Sequence, residues 1–386
     1  MPSLIRDRAA STDAMLSVFG DEALLRAALV FEAALAQAQA QAGLIAEADA
    51  QAIAAACVVL PDVAELAQAA AHAGTLAIPL VQVLRRRVAD KHGEAVAAHV
   101  HKGATSQDLA DTALILQAKS GATLIRDEAA LLTQALAQLA RTHAATPMLG
   151  RTLLQAAQPI TFGLKVAGWL QGVDEAAARF EAEAAGALRL QFGGATGSLA
   201  GLNGQALAVS EHLASHLDLG LPVLPWQAQR GAVAGLAGAL AILTGAVGKI
   251  ARDVSLMAQT EIAEAFEPRV SGRGGSSAMA HKRNPTSCQI ALSAALREPH
   301  LAATILSALP QEHERGLGGW QAEGPVLAEL FQLTHGALAA MRPVIAGLEV
   351  DAPRMAANLA AANVGTDTGE SEALVARALA AHSKDD

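Results

Sequence analysis

Apolar residues recur along this chain at helical spacing, and alternating strand-like runs are scarce. Residues 22–43 set Leu24, Leu25, Ala28, Leu29 and Phe31 on one side and end at Gly43, the pattern of an amphipathic helix closed by a glycine. Shorter helices are expected at 47–57, 61–72, 77–90 and 92–100. Thr105 then stands as an N-cap with Asp108 three residues on, and the periodic run that starts there reaches about Ala144. Further long helices are expected over residues 162–190, 228–267, 285–307 and 325–348. Five long helices with no strong strand pattern predict an all-α bundle. Three units are expected: an N-terminal helical domain over 1–104, a central long-helix bundle over 105–348, and a short C-terminal helical segment over 349–386, with a helix at 371–381.

Composition sharpens the picture in one place. Residues 231–248 carry no charge over 18 positions, close to the lower limit for a membrane span. Five glycines interrupt the stretch, no aromatic belt flanks it, and the pattern continues through Lys249 and Arg252. A helix buried on all sides is expected there, and no membrane association. Hydrophobic residues make up 52% of the chain and aromatic ones 3%, so alanine and leucine would pack helices closely. The N-terminus lacks a continuous apolar signal core, and a cytoplasmic protein is expected. Cys57 and Cys288 form no metal-ligand pattern, and the His99–His101 spacing does not put both rings on one side of a helix, so no metal site is expected.

The net charge of −9 argues against nucleic-acid binding. Yet Lys102, Arg151, Arg273, Lys282, Arg283 and Arg315 cluster in four short motif blocks. An acidic protein that gathers cations this way points to a small anionic substrate held locally. The most informative block is Gly275-Ser276-Ser277-Ala278-Met279-Ala280-His281-Lys282-Arg283-Asn284-Pro285. Its glycines free the backbone around two serine hydroxyls, Asn284 is expected to cap a helix, and Pro285 suits the first helical position. Hydroxyls, cations and the free amides of a helix start fit proton transfer beside a carboxylate.

This block resembles the signature of the fumarase/aspartase superfamily, matching at Gly275, Ser276, Ser277, Lys282 and Asn284 and departing at Ala280, where the family usually has proline. Two further blocks agree in order and spacing: His101-Lys102-Gly103-Ala104-Thr105-Ser106-Gln107-Asp108, and Gly150-Arg151-Thr152 through Gln155, Pro159, Thr161 and Gly163. Gln191-Phe192-Gly193-Gly194-Ala195, His281 to Pro285, and Glu312-His313-Glu314-Arg315 with Trp320 resemble the bacterial branch of cycloisomerases acting on 3-carboxy-cis,cis-muconate. The resemblance implies a fumarase/aspartase-like fold whose central helices assemble into a homotetrameric core, with active sites shared between subunits. It also implies Ser276 as the residue that exchanges a proton with carbon, and Lys282 and Asn284 around the carboxylate that takes up charge. Thr105, Ser106, Arg151, Gln155, Ser277, His313 and Arg315 would complete substrate binding, with no metal or organic cofactor.

The departures bear on the reaction. Amine-expelling lyases of the superfamily often carry histidine where this chain has Leu153, and cycloisomerases often carry it where Ala156 and Gln321 stand. An amine must be protonated to leave. A carboxylate, whose acid has a pKa near ~4, can leave or attack unaided. The expected function is lactonisation of 3-carboxy-cis,cis-muconate in aromatic-acid breakdown. Its rivals are an adenylosuccinate lyase-like elimination releasing fumarate, which Leu153 opposes, and a catalytically inactive structural relative.

Overall fold

A computed structural model describes residues 4–275, 279 and 282–383. The N-terminal region holds α1 (Leu4–Ala10), α2 (Asp13–Val18), α3 (Asp21–Gln41), α4 (Glu47–Cys57), α5 (Val63–Ala73), α6 (Ala77–His92) and the single turn α7 (Glu94–Ala97). It leads into α8 (Ser106–Thr142), a 37-residue helix of about 55 Å at 1.5 Å per residue. A hairpin of β1 (Pro147–Thr152) and β2 (Gln155–Thr161) follows, then α9 (Phe162–Ala187), α10 (Ala206–Leu217) and α11 (Gly231–Met257). The strand β3 (Ala265–Phe266) precedes α12 (Thr286–Ser307) and α13 (Gly319–Ala346). After β4 (Glu349–Val350) come α14 (Ala352–Ala362) and α15 (Ser371–His382). The all-α class holds, because the two small sheets are minor additions to the helices.

Two apolar cores organise these helices. Leu132, Phe162, Trp169, Leu240, Val247, Leu327 and Met341 belong to the bundle core, which joins α8, α9, α11, α12 and α13. Leu29, Phe31, Leu80, Leu84, Leu109, Val209 and Leu213 belong to the second core, where α3 packs against both α10 and α8. By length and composition, α3 and α11 could each cross a membrane. In α11, however, Val233, Leu236, Leu240, Leu243, Val247 and Ile250 are all buried in the bundle. One side of the uncharged stretch is therefore packed into the bundle, but Gly231, Ile242 and Gly245 are exposed in this chain, so the helix is not buried on all sides as expected.

Several expected boundaries shift. The third long helix ends at Met257 instead of residue 267, because the chain turns at 258–264 and Ala265–Phe266 pairs with Glu349–Val350. The fifth starts at Gly319 instead of residue 325, with Pro325 inside it. A proline near a helix start forfeits one backbone bond but does not dictate the boundary. The hairpin at 147–161 has no counterpart in the sequence reading. Its tip residues Leu153 and Leu154 adopt φ of 50° and 63°, conformations usually supplied there by asparagine or glycine.

Candidate active site

The N-terminal end of α8 is held by one carboxylate. Asp108 Oδ2 accepts from Thr105 N at 3.0 Å and Gly194 N at 2.9 Å, and Oδ1 accepts from Gln191 Nε2 at 2.9 Å and Gly193 N at 3.1 Å. Burial pushes Asp108 up to about 6, against the pull of these donors, which favour its ionised form. Gly193 is required here because a Cβ would lie 2.7 Å from Pro225 Cβ. The Gln191-to-Ala195 block therefore serves to fasten the first motif block.

That fastening presents two hydroxyls to a cation 210 and 209 positions further along the chain. Arg315 donates through Nη1 to Thr105 Oγ1 at 2.8 Å and through Nη2 to Ser106 Oγ at 3.2 Å. Among the described residues no carboxylate forms a salt bridge with Arg315. Trp320 closes the same segment by donating Nε1 to Gly316 O at 3.1 Å. His313 is exposed, at φ 46°. Its neighbour Glu312 accepts from Leu317 N at 2.9 Å, a bond that lowers the carboxyl pKa.

The opposite end of the bundle carries the other blocks. Arg151 forms a two-pronged pair with the buried Glu264, at 2.9 Å from Nη1 and 2.7 Å from Nη2. Asn358 Nδ2 also donates to Glu264, at 2.8 Å. Arg151 is thus committed to a protein carboxylate in this chain. Gln155 is exposed and pairs with Thr152 across the hairpin tip, where Leu153 and Leu154 are 95% and 78% exposed.

Ser276 and Ser277 lie outside the described residues, as do Ala278, Ala280 and His281. Lys282 and Asn284 line a cavity of about 190 Å³ with Arg269, Arg273, Arg283 and Glu267. Arg283 pairs with Glu349 at 2.9 Å and lies 5.0 Å from the Phe266 ring centroid. Asn284 does not cap α12, a correction to the sequence reading. Its backbone N donates to Gly274 O at 2.8 Å, which draws it into the loop. The Glu267 carboxylate caps the helix instead, accepting from Ser287 N at 3.2 Å and Cys288 N at 2.8 Å. Gly274 permits that approach: its φ is 71°, and a Cβ would sit 2.7 Å from Asn284 O.

One chain therefore brings Thr105, Ser106 and Arg315 together at one end. It sets Arg151, Gln155, Lys282 and Asn284 at the other, separated by roughly the length of α8, ~55 Å. Glu264 and Glu267, which hold Arg151 and α12, were missed by sequence reasoning. With Glu261 they stand three residues apart, a spacing that reads as the polar side of a continuing helix, and only the fold gives Glu264 and Glu267 their separate partners.

The sequence matches the model of a family described as lyase over residues 7–297. A 3-carboxy-cis,cis-muconate cycloisomerase from Bradyrhizobium diazoefficiens is 48% identical over 350 residues, covering 90% of this chain and 77% of that protein. A nitrosuccinate lyase from Streptomyces davaonensis is 43% identical over 348 residues, covering 88% of this chain and 73% of that protein. Among solved structures, a 3-carboxy-cis,cis-muconate lactonizing enzyme from Pseudomonas putida superimposes with a TM-score of 0.93 at 37% identity, covering 99% of both chains.

Proposed function

This chain belongs to the lyase family of the fumarase/aspartase superfamily, and from that premise we propose that it lactonises 3-carboxy-cis,cis-muconate to a carboxymuconolactone. The observation that carries the reading is Arg315, a guanidinium that has no carboxylate partner among the described residues and is fixed against the Thr105 and Ser106 hydroxyls. Such a group is built to receive a substrate carboxylate.

In the reaction, a carboxylate oxygen of the substrate adds to a carbon–carbon double bond of the same molecule. One C–O bond forms, and the displaced π electrons pass into the neighbouring carboxylate as an aci-carboxylate. Lys282 and Asn284 hold that group, and Ser276 delivers the one proton that carbon needs. The only leaving or attacking group is a carboxylate, which requires no acid. The leucine at 153, where amine-expelling lyases often carry histidine, fits this demand. The same feature opposes an adenylosuccinate lyase-like reaction, in which an amine departs.

The separation of the blocks within one chain supports a further part of the proposal. Arg315, Thr105 and Ser106 of one copy would meet Lys282, Asn284 and Gln155 from other copies in a cytoplasmic homotetramer. Ser277, Arg151 and His313 complete the proposed shell, Arg151 by holding the base of the hairpin.

A second reading is favoured by one observation, the similarity to the nitrosuccinate lyase. Nitrite, like a carboxylate, leaves as a stable anion without a proton donor. The ultraviolet absorbance of 3-carboxy-cis,cis-muconate, followed with wild type and with Ser276→Ala, separates the two. Wild type should remove the conjugated-diene signal, and the variant should bind substrate with turnover at least ~100-fold lower. Persistence of the signal with wild type, together with nitrite release from nitrosuccinate, would replace the first reading by the second.

A further inference from the structure

We propose that Gln107 is a positioning residue for Arg315, linking that guanidinium to a buried charge network that balances it without neutralising it. The inference rests on the reading of Arg315 as the clamp for a substrate carboxylate.

Gln107 is fully buried one residue beyond Ser106. Its Nε2 donates to Asp111 Oδ2 at 3.1 Å and to Gln227 O at 2.9 Å. Both partners only accept, so the orientation of the amide is settled and Oε1 must face the other way. There it accepts from Arg315 Nε at 3.3 Å. Behind Gln107, both Asp111 oxygens accept from Arg230, at 2.7 Å from Nη1 and 2.8 Å from Nη2. Arg230 Nε donates to both Glu323 oxygens at 3.0 Å, and its guanidinium carbon lies 4.6 Å from the Trp226 ring centroid. Asp111, Arg230 and Glu323 are 2%, 1% and 0% exposed.

A buried cation between two carboxylates is a poor source of stability, because desolvating three charges offsets most of their attraction. What the network holds gives it a purpose. Arg315 sits at the positive end of α8. Three of its five N–H groups donate to neutral oxygens, those of Thr105, Ser106 and Gln107, and the other two meet no acceptor among the described residues. A direct carboxylate partner would occupy those donors and compete with substrate. The network instead places negative charge one amide away, close enough to oppose repulsion from the helix end and too far to pair. Among the described residues, Gln107 is the side chain that hydrogen-bonds to both Asp111 and Arg315.

The test uses the full chain and the loss of diene absorbance from 3-carboxy-cis,cis-muconate. Gln107→Met keeps the volume and removes both hydrogen-bonding ends, and it should raise KM about tenfold with kcat within about threefold, the loss of one charge-assisted bond. Gln107→Asn, which stays polar toward Asp111 and Gln227 O but is one methylene too short to reach Arg315 as well, carries the test should the methionine variant not fold and should raise KM by a similar factor. In the Arg315→Ala background, Gln107→Met should add nothing to KM. Three results would overturn the relay: an unchanged KM in both single variants, a loss in kcat alone, or additive effects in the double variant. An unchanged KM in Arg315→Ala would instead sink the clamp reading, and the relay with it.

Discussion

The two ends of the helical bundle are built on opposite plans. At the N-terminal end of α8, five donors converge on buried Asp108, four of them at 3.1 Å or closer, and Arg315 is held by two hydroxyls and an amide. At the other end, Arg151 is engaged by Glu264, Lys282 is exposed, and the hairpin points two leucines into solvent. The hydrogen bonds of the first end close within one chain. At the second, Lys282, Gln155 and the hairpin tip stand open to solvent. Fixed and open polar groups are thus kept on separate parts of the described chain.

Three substitutions probe that contrast. Asp108→Ala should have the largest effect, because it strands the four closer buried donors, each costing about 1–3 kcal/mol. Chemical denaturation should show a loss of about 4 kcal/mol or more. A loss near zero would mean that the end is not wired through this carboxylate. Glu264→Ala should cost less, about 2–3 kcal/mol, because the freed Arg151 is partly exposed and can hydrate. If it costs more than Asp108→Ala, the two ends do not differ as described.

The smallest effect belongs between the ends. Glu298 is buried in α12, and its Oε1 accepts from Thr244 at 2.8 Å and Thr334 at 3.0 Å. Burial raises its pKa well above 4.5. The folded chain then holds a proton that the unfolded chain releases, so stability falls as pH rises from about 4.5 toward the folded value. Glu298→Gln removes this dependence while keeping an acceptor for both threonines. Its melting temperature relative to wild type should therefore be higher at pH 8 than at pH 5.5. Equal differences at the two pH values would show that Glu298 stays ionised in the fold.

Much of the helical framework was legible because a helix writes its buried face into local spacing. The expected helix at 47–57 coincides with α4, and Thr105 and Asp108 mark the start of α8. The hairpin was not legible, because its tip carries leucines where turn chemistry usually shows. The start of α12 was read with the wrong cap. Asn284 precedes it as a good cap would, yet Glu267, some twenty positions earlier, reaches the free amides first.

What the sequence by itself determined was therefore local: helix periodicity, the signature around Lys282 and Asn284, and family membership. Only the tertiary structure decided which polar and charged groups meet. Arg315 finds Thr105 across 210 positions, Arg151 finds Glu264 across 113, and Arg230 finds Asp111 across 119. Such pairings cost chain entropy that only the burial of the whole bundle offsets, so no local pattern announces them.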